Sequence, residues 1–299
     1  MLDALIIGGG PAGLSAALVL GRSRRRVVLI DAARPRNRGT RAVHGFLTRD
    51  GVPPGELRAL AHAEIARYPD ARVIPGEVTT MERGGDAYRA GLADGSVHEA
   101  RCALIAIGQS DRLPTVPGLA EHYGRGVYFC PYCDAWEHAD GLLVALGAQA
   151  HGLALKLRRW SSTVVWLSEG ADAPSSRGDA LEDHQVIVHR APLRRVDGGD
   201  ADLVALTLAD GTRLRGAALF LEPQREPLPP WIGALGCSVA ESGAIVCDQR
   251  GATGVPGLYV AGDASGGAQF AIAAAAEGAR AAVAIDDRLR RIELGEAPA

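Results

Sequence analysis

Long apolar runs are missing from this 299-residue chain: no uninterrupted stretch approaches the ~20 residues that a transmembrane helix needs. A reading built on membrane-spanning helices is therefore excluded. Net charge is also nearly absent. The 32 Lys and Arg against 35 Asp and Glu leave −3, too little for a global field that gathers nucleic acid or anionic lipid, so partners must be argued from sites. Lysine is almost lacking, with Lys156 the single example; an Arg-only set of bases beside abundant Ala and Gly reflects genome composition, not function. No basic n-region precedes the apolar segment 5–20. Asp3 stands there and glycines break the segment, so no export is expected and the chain reads as cytosolic. Cysteine is sparse as well: of five, only Cys130 and Cys133 lie close together, and in a cytosolic protein disulfides are mostly catalytic or redox-sensing. No metal site is expected.

What is present fits a folded protein. Hydrophobic residues make up 47% and charged ones 22%, which argues against disorder. At roughly 100–200 residues per domain the length suffices for two units, each with its own core.

Residues 4–7 form a short apolar run, followed by a Gly-rich turn, a helical segment from Leu14 to Leu20 and a buried strand from Arg26 to Asp31. The pattern begins again at Leu142–Leu146, turns at Gly147, continues as a helix from Leu153 to Trp160 and ends in a strand over 163–168. A further buried strand is predicted at 103–108. Pro-rich breakers at 113–118 and 222–231 flank the second unit. The expected architecture is α/β, with two Rossmann-like dinucleotide-binding domains of three layers. The second is inserted into the first: residues 1–113 and 229–299 form an FAD-binding domain, and 114–228 an NAD(P)-type insert carrying the Cys-x-x-Cys.

Gly8-Gly9-Gly10-Pro11-Ala12-Gly13 follows a strand and opens a helix, and Asp31 comes 23 positions after Gly8. Gly8 permits the turn, Gly10 lets backbone approach a pyrophosphate, Gly13 lets helix and strand pack closely, and the helix N-terminus holds the anion. Asp31 is placed to accept hydrogen bonds from the adenosine ribose. Thr253-Gly-Val-Pro-Gly-Leu-Tyr-Val-Ala-Gly262-Asp263 resembles the C-terminal FAD motif of two-dinucleotide-domain flavoproteins, which implies that Gly262 and Asp263 serve the flavin ribityl chain. After it come Gln269 and Phe270 and a helix to about Ile285, able to aim its N–H groups at the flavin pyrimidine edge. Arg36-Asn37 and His44-Gly45 follow the ribose-binding strand, where a loop can reach the flavin, and Gly108 and Gln109 are further positions placed to hold FAD.

Cys130-Pro131-Tyr132-Cys133-Asp134 precedes the second unit. Two sulfurs at this spacing form a small reducible disulfide, one of them attacking as a thiolate, with Asp134 placed to move protons. A glutaredoxin reading is disfavoured because the pair lies mid-chain beside a flavin signature. Zinc is disfavoured because Cys237 and Cys247 form no second pair, leaving only His138 and His151 nearby. Cys102, Cys237 and Cys247 read as structural or incidental.

Gly-rich FAD loop, Cys-x-x-Cys-Asp, second glycine loop and Ala-Gly-Asp motif together resemble the low-molecular-weight thioredoxin reductase superfamily over essentially the whole chain. That resemblance implies a homodimer with FAD and a pyridine nucleotide on separate domains, and domain rotation that brings the cysteine pair or the nicotinamide to the flavin. It also implies that Cys133 faces flavin C4a, Cys130 exchanges with substrate and Asp134 is the acid/base.

Two positions depart from the family pattern. Gln149 stands where the second loop should carry its middle glycine, and 167–170 reads Leu-Ser-Glu-Gly in place of a basic cluster for the NADPH 2′-phosphate. Glu169 repels that phosphate, although its spacing suits the ribose of NADH. The readings left open are an NAD(P)H-driven reductase of a thioredoxin-like protein or small disulfide, and an O₂-linked dithiol oxidase of the gliotoxin and holomycin type. A ferredoxin-fed relative and a flavin/thiol redox sensor without turnover remain as alternatives. His44 is a possible base near the dithiol, and Trp136 either a pocket wall or a core aromatic.

Overall fold

The computed structural model describes residues 1–172, 181–199 and 202–296. Apolar strands alternate with short connections, and they build two sheets of one plan. In the first, Ala71–Pro75, Val27–Asp31, Leu2–Ile7 and Val97–Ile105 lie side by side in parallel. Leu258–Val260 joins the far half of Val97–Ile105 in parallel, Leu258 opposite Ala103 and Val260 opposite Ile105. The near half carries an antiparallel meander, with Tyr88 opposite Ala100, and Val78–Gly84 outside it. In the second sheet the order is Ile187–His189, Thr163–Leu167, Leu142–Leu146 and Arg213–Leu221, followed by the antiparallel Val204–Leu208 and Leu193–Gly198. Val127–Tyr128 takes the edge place beside Leu219–Phe220.

The central strands are covered on both faces, as parallel strands must be. All five residues of Val27–Asp31 are buried, and alternate side chains serve different layers. Ile6, Leu29 and Leu104 pack with Leu20 and Ile285 of the helices Pro11–Arg22 and Ala271–Glu293. Leu5, Val28 and Ile105 pack with Met81, Tyr88 and Trp231 on the other side. Burying one such aliphatic side chain contributes about 1.5–3 kcal/mol. The same alternation splits the second sheet, Val144, Val165 and Leu219 facing Leu193 and Leu206, while Leu143, Trp166 and Phe220 face Ala154 and Leu157 of the helix His151–Leu157.

Two compact units result, one from Met1–Arg38, Gly45–Ser110 and Arg225 onward, the other from Gly39–His44 and Asp111–Gln224. The joins differ by a few residues from 113/114 and 228/229, and 39–44 goes with the second unit although the sequence placed it in the first. The reason is local. A Cβ on Gly39 would lie 2.6 Å from the Tyr123 carbonyl oxygen, so glycine lets the backbone run against it. Arg125 Nε donates to the Gly39 carbonyl at 3.3 Å, and Arg41 pairs with Asp202 at 2.7 Å.

Several elements differ in length from expectation. The strand predicted at 103–108 begins at Val97, because its first residues pair with the meander, and ends at Ile105. The helix of the second unit covers His151–Leu157, not 153–160, with Trp160 in the turn that follows. The last long helix runs on to Glu293, held there by Arg25, which pairs with Asp286 at 2.6 Å and with Glu293.

Candidate active site

In the first unit the strand Leu2–Ile7 ends at Gly8, where φ is +112° and a Cβ would lie 2.3 Å from the Ala106 carbonyl oxygen. Only glycine makes this turn. Gly10 is the N-cap of the helix Pro11–Arg22, without a side-chain cap and with Pro11 in the first turn. The first intrahelical bond comes from the Leu14 N–H to Gly10 O at 3.0 Å. The amides ahead of it, those of Ala12 and Gly13 included, have no acceptor in the helix and suit an anion. A Cβ on Gly13 would lie 1.9 Å from Gly8 O, whereas one on Gly10 would meet nothing within 4 Å. Helix and turn are thus locked together while the Gly10 side stays open, which fits a dinucleotide pyrophosphate.

Asp31 ends the next strand, nearly buried, and its carboxylate accepts from the Ala33 N–H at 2.9 Å and pairs with Arg58 of the helix Pro54–Ile65. Arg36 and Asn37 lie in the turn Arg36–Gly39. Arg36 Nη1 donates to Asp263 Oδ2 at 3.1 Å and to Gln269 Oε1 at 2.7 Å, and Gln269 Nε2 donates to Gln109 Oε1 at 2.9 Å. Gly262, at φ +77°, gives its N–H to Glu277 Oε2 at 2.8 Å, and Ser265 Oγ donates to the same oxygen at 2.9 Å. Gly108 is left-handed at φ +68°, and Phe270 is the N-cap of Ala271–Glu293. Three sequence-predicted residues, Asp263, Gln269 and Gln109, are therefore linked through Arg36.

In the second unit Cys130 and Cys133 form a disulfide with Cα atoms 5.3 Å apart. Cys130 caps the one-turn helix Pro131–Asp134, whose Cys133 and Asp134 amides both donate to Cys130 O. Proline sets the turn and the pair closes it. Burial pushes the Asp134 carboxyl up to about 7; the Glu137 carboxylate adds to this and His44 opposes it. His44 Nε2 lies 3.5 Å from Glu137 Oε1, so this histidine stands in the dithiol unit. Beneath, the Tyr128 hydroxyl meets His138 Nε2 at 2.9 Å, and burial lowers the His138 pKa, which keeps its ring neutral. Trp136 is 77% exposed and so is no core aromatic. Burial raises the other thiols, Cys102 to about 11 and Cys237 and Cys247 in the same direction, which leaves them poor nucleophiles near neutral pH.

The second glycine loop lacks the cradle of the first. Gly147 keeps a turn at φ +127°, but Gln149 is exposed, and its helix has seven residues. A Cβ on Gly152 would meet nothing within 4 Å, so no tight packing of the Gly13 kind exists. Fully buried Trp166 gives its indole N–H to Gly147 O at 2.9 Å. Glu169, left-handed at φ +52°, accepts the Leu193 N–H at 2.9 Å.

The pattern that defines the Pyridine nucleotide-disulphide oxidoreductase family matches residues 2–278. The chain belongs to that family. It is 31% identical to a probable thioredoxin reductase of Arthroderma benhamiae over 97% of this chain and 80% of that one. Among solved structures, HlmI matches with TM-score 0.93 and 34% identity, covering 98% of this chain and 94% of its own. A putative thioredoxin reductase TrxB of Bacillus anthracis matches with TM-score 0.91 and 30% identity, over 98% and 100%. The fold is the two-domain α/β thioredoxin reductase fold, and the protein is an FAD-dependent dithiol/disulfide oxidoreductase.

Within this oxidoreductase the sequence did not single out Arg58 or Glu277, both of which hold predicted positions, nor Gly278, where a Cβ would lie 1.9 Å from Ala12 O. A charged residue one or two turns into a helix has no motif around it. The signal for Gly278 is a lone glycine in an Ala-rich helix, a residue that costs helix stability and so implies close packing.

Proposed function

We propose that this protein is a dithiol oxidase. A substrate dithiol gives up two electrons and two protons and leaves as a disulfide, the electrons pass through Cys130 and Cys133 to FAD, and dioxygen becomes hydrogen peroxide. The second glycine loop carries this reading: Gln149 replaces the glycine that backbone–pyrophosphate contact needs, and the Glu169 carboxylate is spent on the Leu193 amide. NADPH does not fit this unit, since a carboxylate stands where its 2′-phosphate needs a cation.

One substrate thiolate attacks Cys130 Sγ, breaking the Cys130–Cys133 bond and releasing Cys133 as a thiolate. The second substrate thiol then attacks the substrate sulfur of the mixed disulfide and releases Cys130. The Asp134 carboxylate, its carboxyl raised to about 7, takes the proton of the second substrate thiol as that thiol attacks and passes it to the departing Cys130 sulfur. Glu137 and His44, 3.5 Å apart, act on that carboxyl in opposite directions. Bound FAD supplies a two-electron acceptor that dioxygen reoxidises. Gly8, Gly10, Pro11, Ala12, Gly13, Asp31, Asn37, Gly108, Gly262, Asp263, Gln269 and Phe270 are the residues that hold it. We take the working state to be a cytosolic homodimer, as the thioredoxin reductase resemblance implies.

An NADH-driven disulfide reductase is the second reading, favoured by the retained turn at Gly147 and the acidic residue after the following strand. An oxygen electrode separates the two. Oxygen uptake with dithiothreitol alone, unchanged by NADH or NADPH and absent in Cys133→Ser, supports the oxidase; uptake that requires NADH overturns it.

A further inference from the structure

The strongest polar convergence in the first unit is centred on a residue that none of its motifs contains. Arg36 lies in the turn after the strand that ends in Asp31, and its guanidinium, 17% exposed, bonds both Asp263 and Gln269. An arginine only donates, so Gln269 must present its oxygen to Arg36. Its amide nitrogen is thereby committed to Gln109 Oε1, and the polarity of the whole chain Arg36–Gln269–Gln109 is fixed. Three separate segments, at 36, at 109 and at 263–269, are tied by one cation directly before the N-terminus of the 23-residue helix Ala271–Glu293.

The charge balance here is unusual for a site that must accept electrons. Asp263 and Glu277 both sit in or against the Gly262–Ser265 turn. Two carboxylates oppose the negative charge that a reduced flavin carries. The helix N-terminus contributes only about half a positive charge, so the cations decide the balance: Arg36 on the Asp263 carboxylate, and Arg225, whose Nη2 donates to the Asp263 carbonyl at 3.2 Å.

We propose that Arg36 is the electrostatic positioning residue of the flavin site. It neutralises Asp263, holds Gln269 and Gln109 in one orientation, and makes the site favour the negatively charged, reduced form of the cofactor. The inference rests on the flavin site described above and not on the direction of electron flow. Both bonds leave the one nitrogen Nη1, so a lysine keeps the charge but, with a shorter side chain and a compact ammonium, not the planar guanidinium's placement.

The test needs no substrate. FAD-loaded protein is titrated with sulfite, whose sulfur lone pair forms a bond to flavin N5 and leaves negative charge on the N1–C2=O side. The flavin midpoint potential is measured on the same samples by dye equilibration. Arg36→Ala and Arg36→Gln are expected to bind sulfite at least tenfold more weakly and to shift the potential downward by about 30 mV or more, the two-electron equivalent of tenfold. Arg36→Lys is expected to fall between them and the unaltered protein. Unchanged sulfite affinity and potential in Arg36→Gln overturn the proposal. Should Arg36→Ala lose its FAD, equal behaviour of Arg36→Lys and Arg36→Gln also overturns it, because charge is then not the agent. Unaltered protein that carries no flavin contradicts the site itself, an outcome distinct from either.

Discussion

The two units share a strand order and a strand–turn–helix opening, yet the two openings are packed differently. At Gly8–Gly13 two glycines are demanded by backbone contact, with carbonyl oxygens 2.3 and 1.9 Å from where a Cβ would stand. At Gly147–Gly152 no contact demands glycine beyond the turn itself, and the helix that follows is five residues shorter. The acidic residue after each second strand also differs in employment: Asp31 is held in place by Arg58 and the Ala33 amide, while Glu169 ties down a neighbouring strand. A fold can keep its framework while the packing of such an opening changes, because the sheet core does not depend on that packing.

Exchanging glycine for alanine is the severest way to break this comparison. Gly13→Ala forces a Cβ into Gly8 O and should cost about 3 kcal/mol of stability together with FAD. Gly152→Ala, in open space inside a helix, should gain about 0.5–1 kcal/mol. Thermal melts with flavin absorbance on both variants check this, and equal losses would make the two loops equivalent after all.

Asp134 sharpens the account of the second unit. Its carboxyl is raised to about 7 by burial, so the folded protein keeps a proton that the unfolded chain releases near 4. Folded stability therefore falls as pH rises from about 4 to 7, and Asp134→Asn should remove that slope in denaturant titrations. The same variant should slow reduction of the disulfide by dithiol about 100-fold. Its rate should lose the break near pH 7 that the unaltered protein shows in stopped-flow traces. A smaller contrast comes from the two acidic residues. Asp31→Ala should weaken FAD binding by about 10–100-fold, the loss of one or two hydrogen bonds to a charged group. Glu169→Ala should leave FAD binding unchanged and cost about 1–2 kcal/mol of stability through the orphaned Leu193 amide.

The parts legible in the sequence were those where chemistry and backbone demand the same residue. Gly8, Gly13 and Asp31 could be read because a turn, a close approach and a strand end coincide with a ligand's needs. The cysteine pair could be read because two sulfurs three apart have few other uses. Less legible was whatever depends on residues distant in sequence. His44 reads in the sequence both as reaching the flavin and as a base near the dithiol, and Gly39 and Arg41 carry its segment into the dithiol unit, that of Glu137. Arg58 and Glu277 act through partners 27 and 15 positions away, and no local pattern announces them; Arg36 lies in a loop the sequence places near the flavin, but its partner Asp263, 227 positions on, is not legible there. For Trp136 the sequence leaves a pocket wall and a core aromatic open, and its exposure removes the second.

The central claim is that electrons enter from a dithiol and not from a pyridine nucleotide. The most direct test is anaerobic: oxidised, yellow protein is mixed separately with dithiothreitol, NADH and NADPH, and the flavin absorbance is followed. Bleaching by the dithiol alone, with colour returning when air is admitted, is the predicted result. Rapid bleaching by NADH or NADPH, with the dithiol inert, would contradict it.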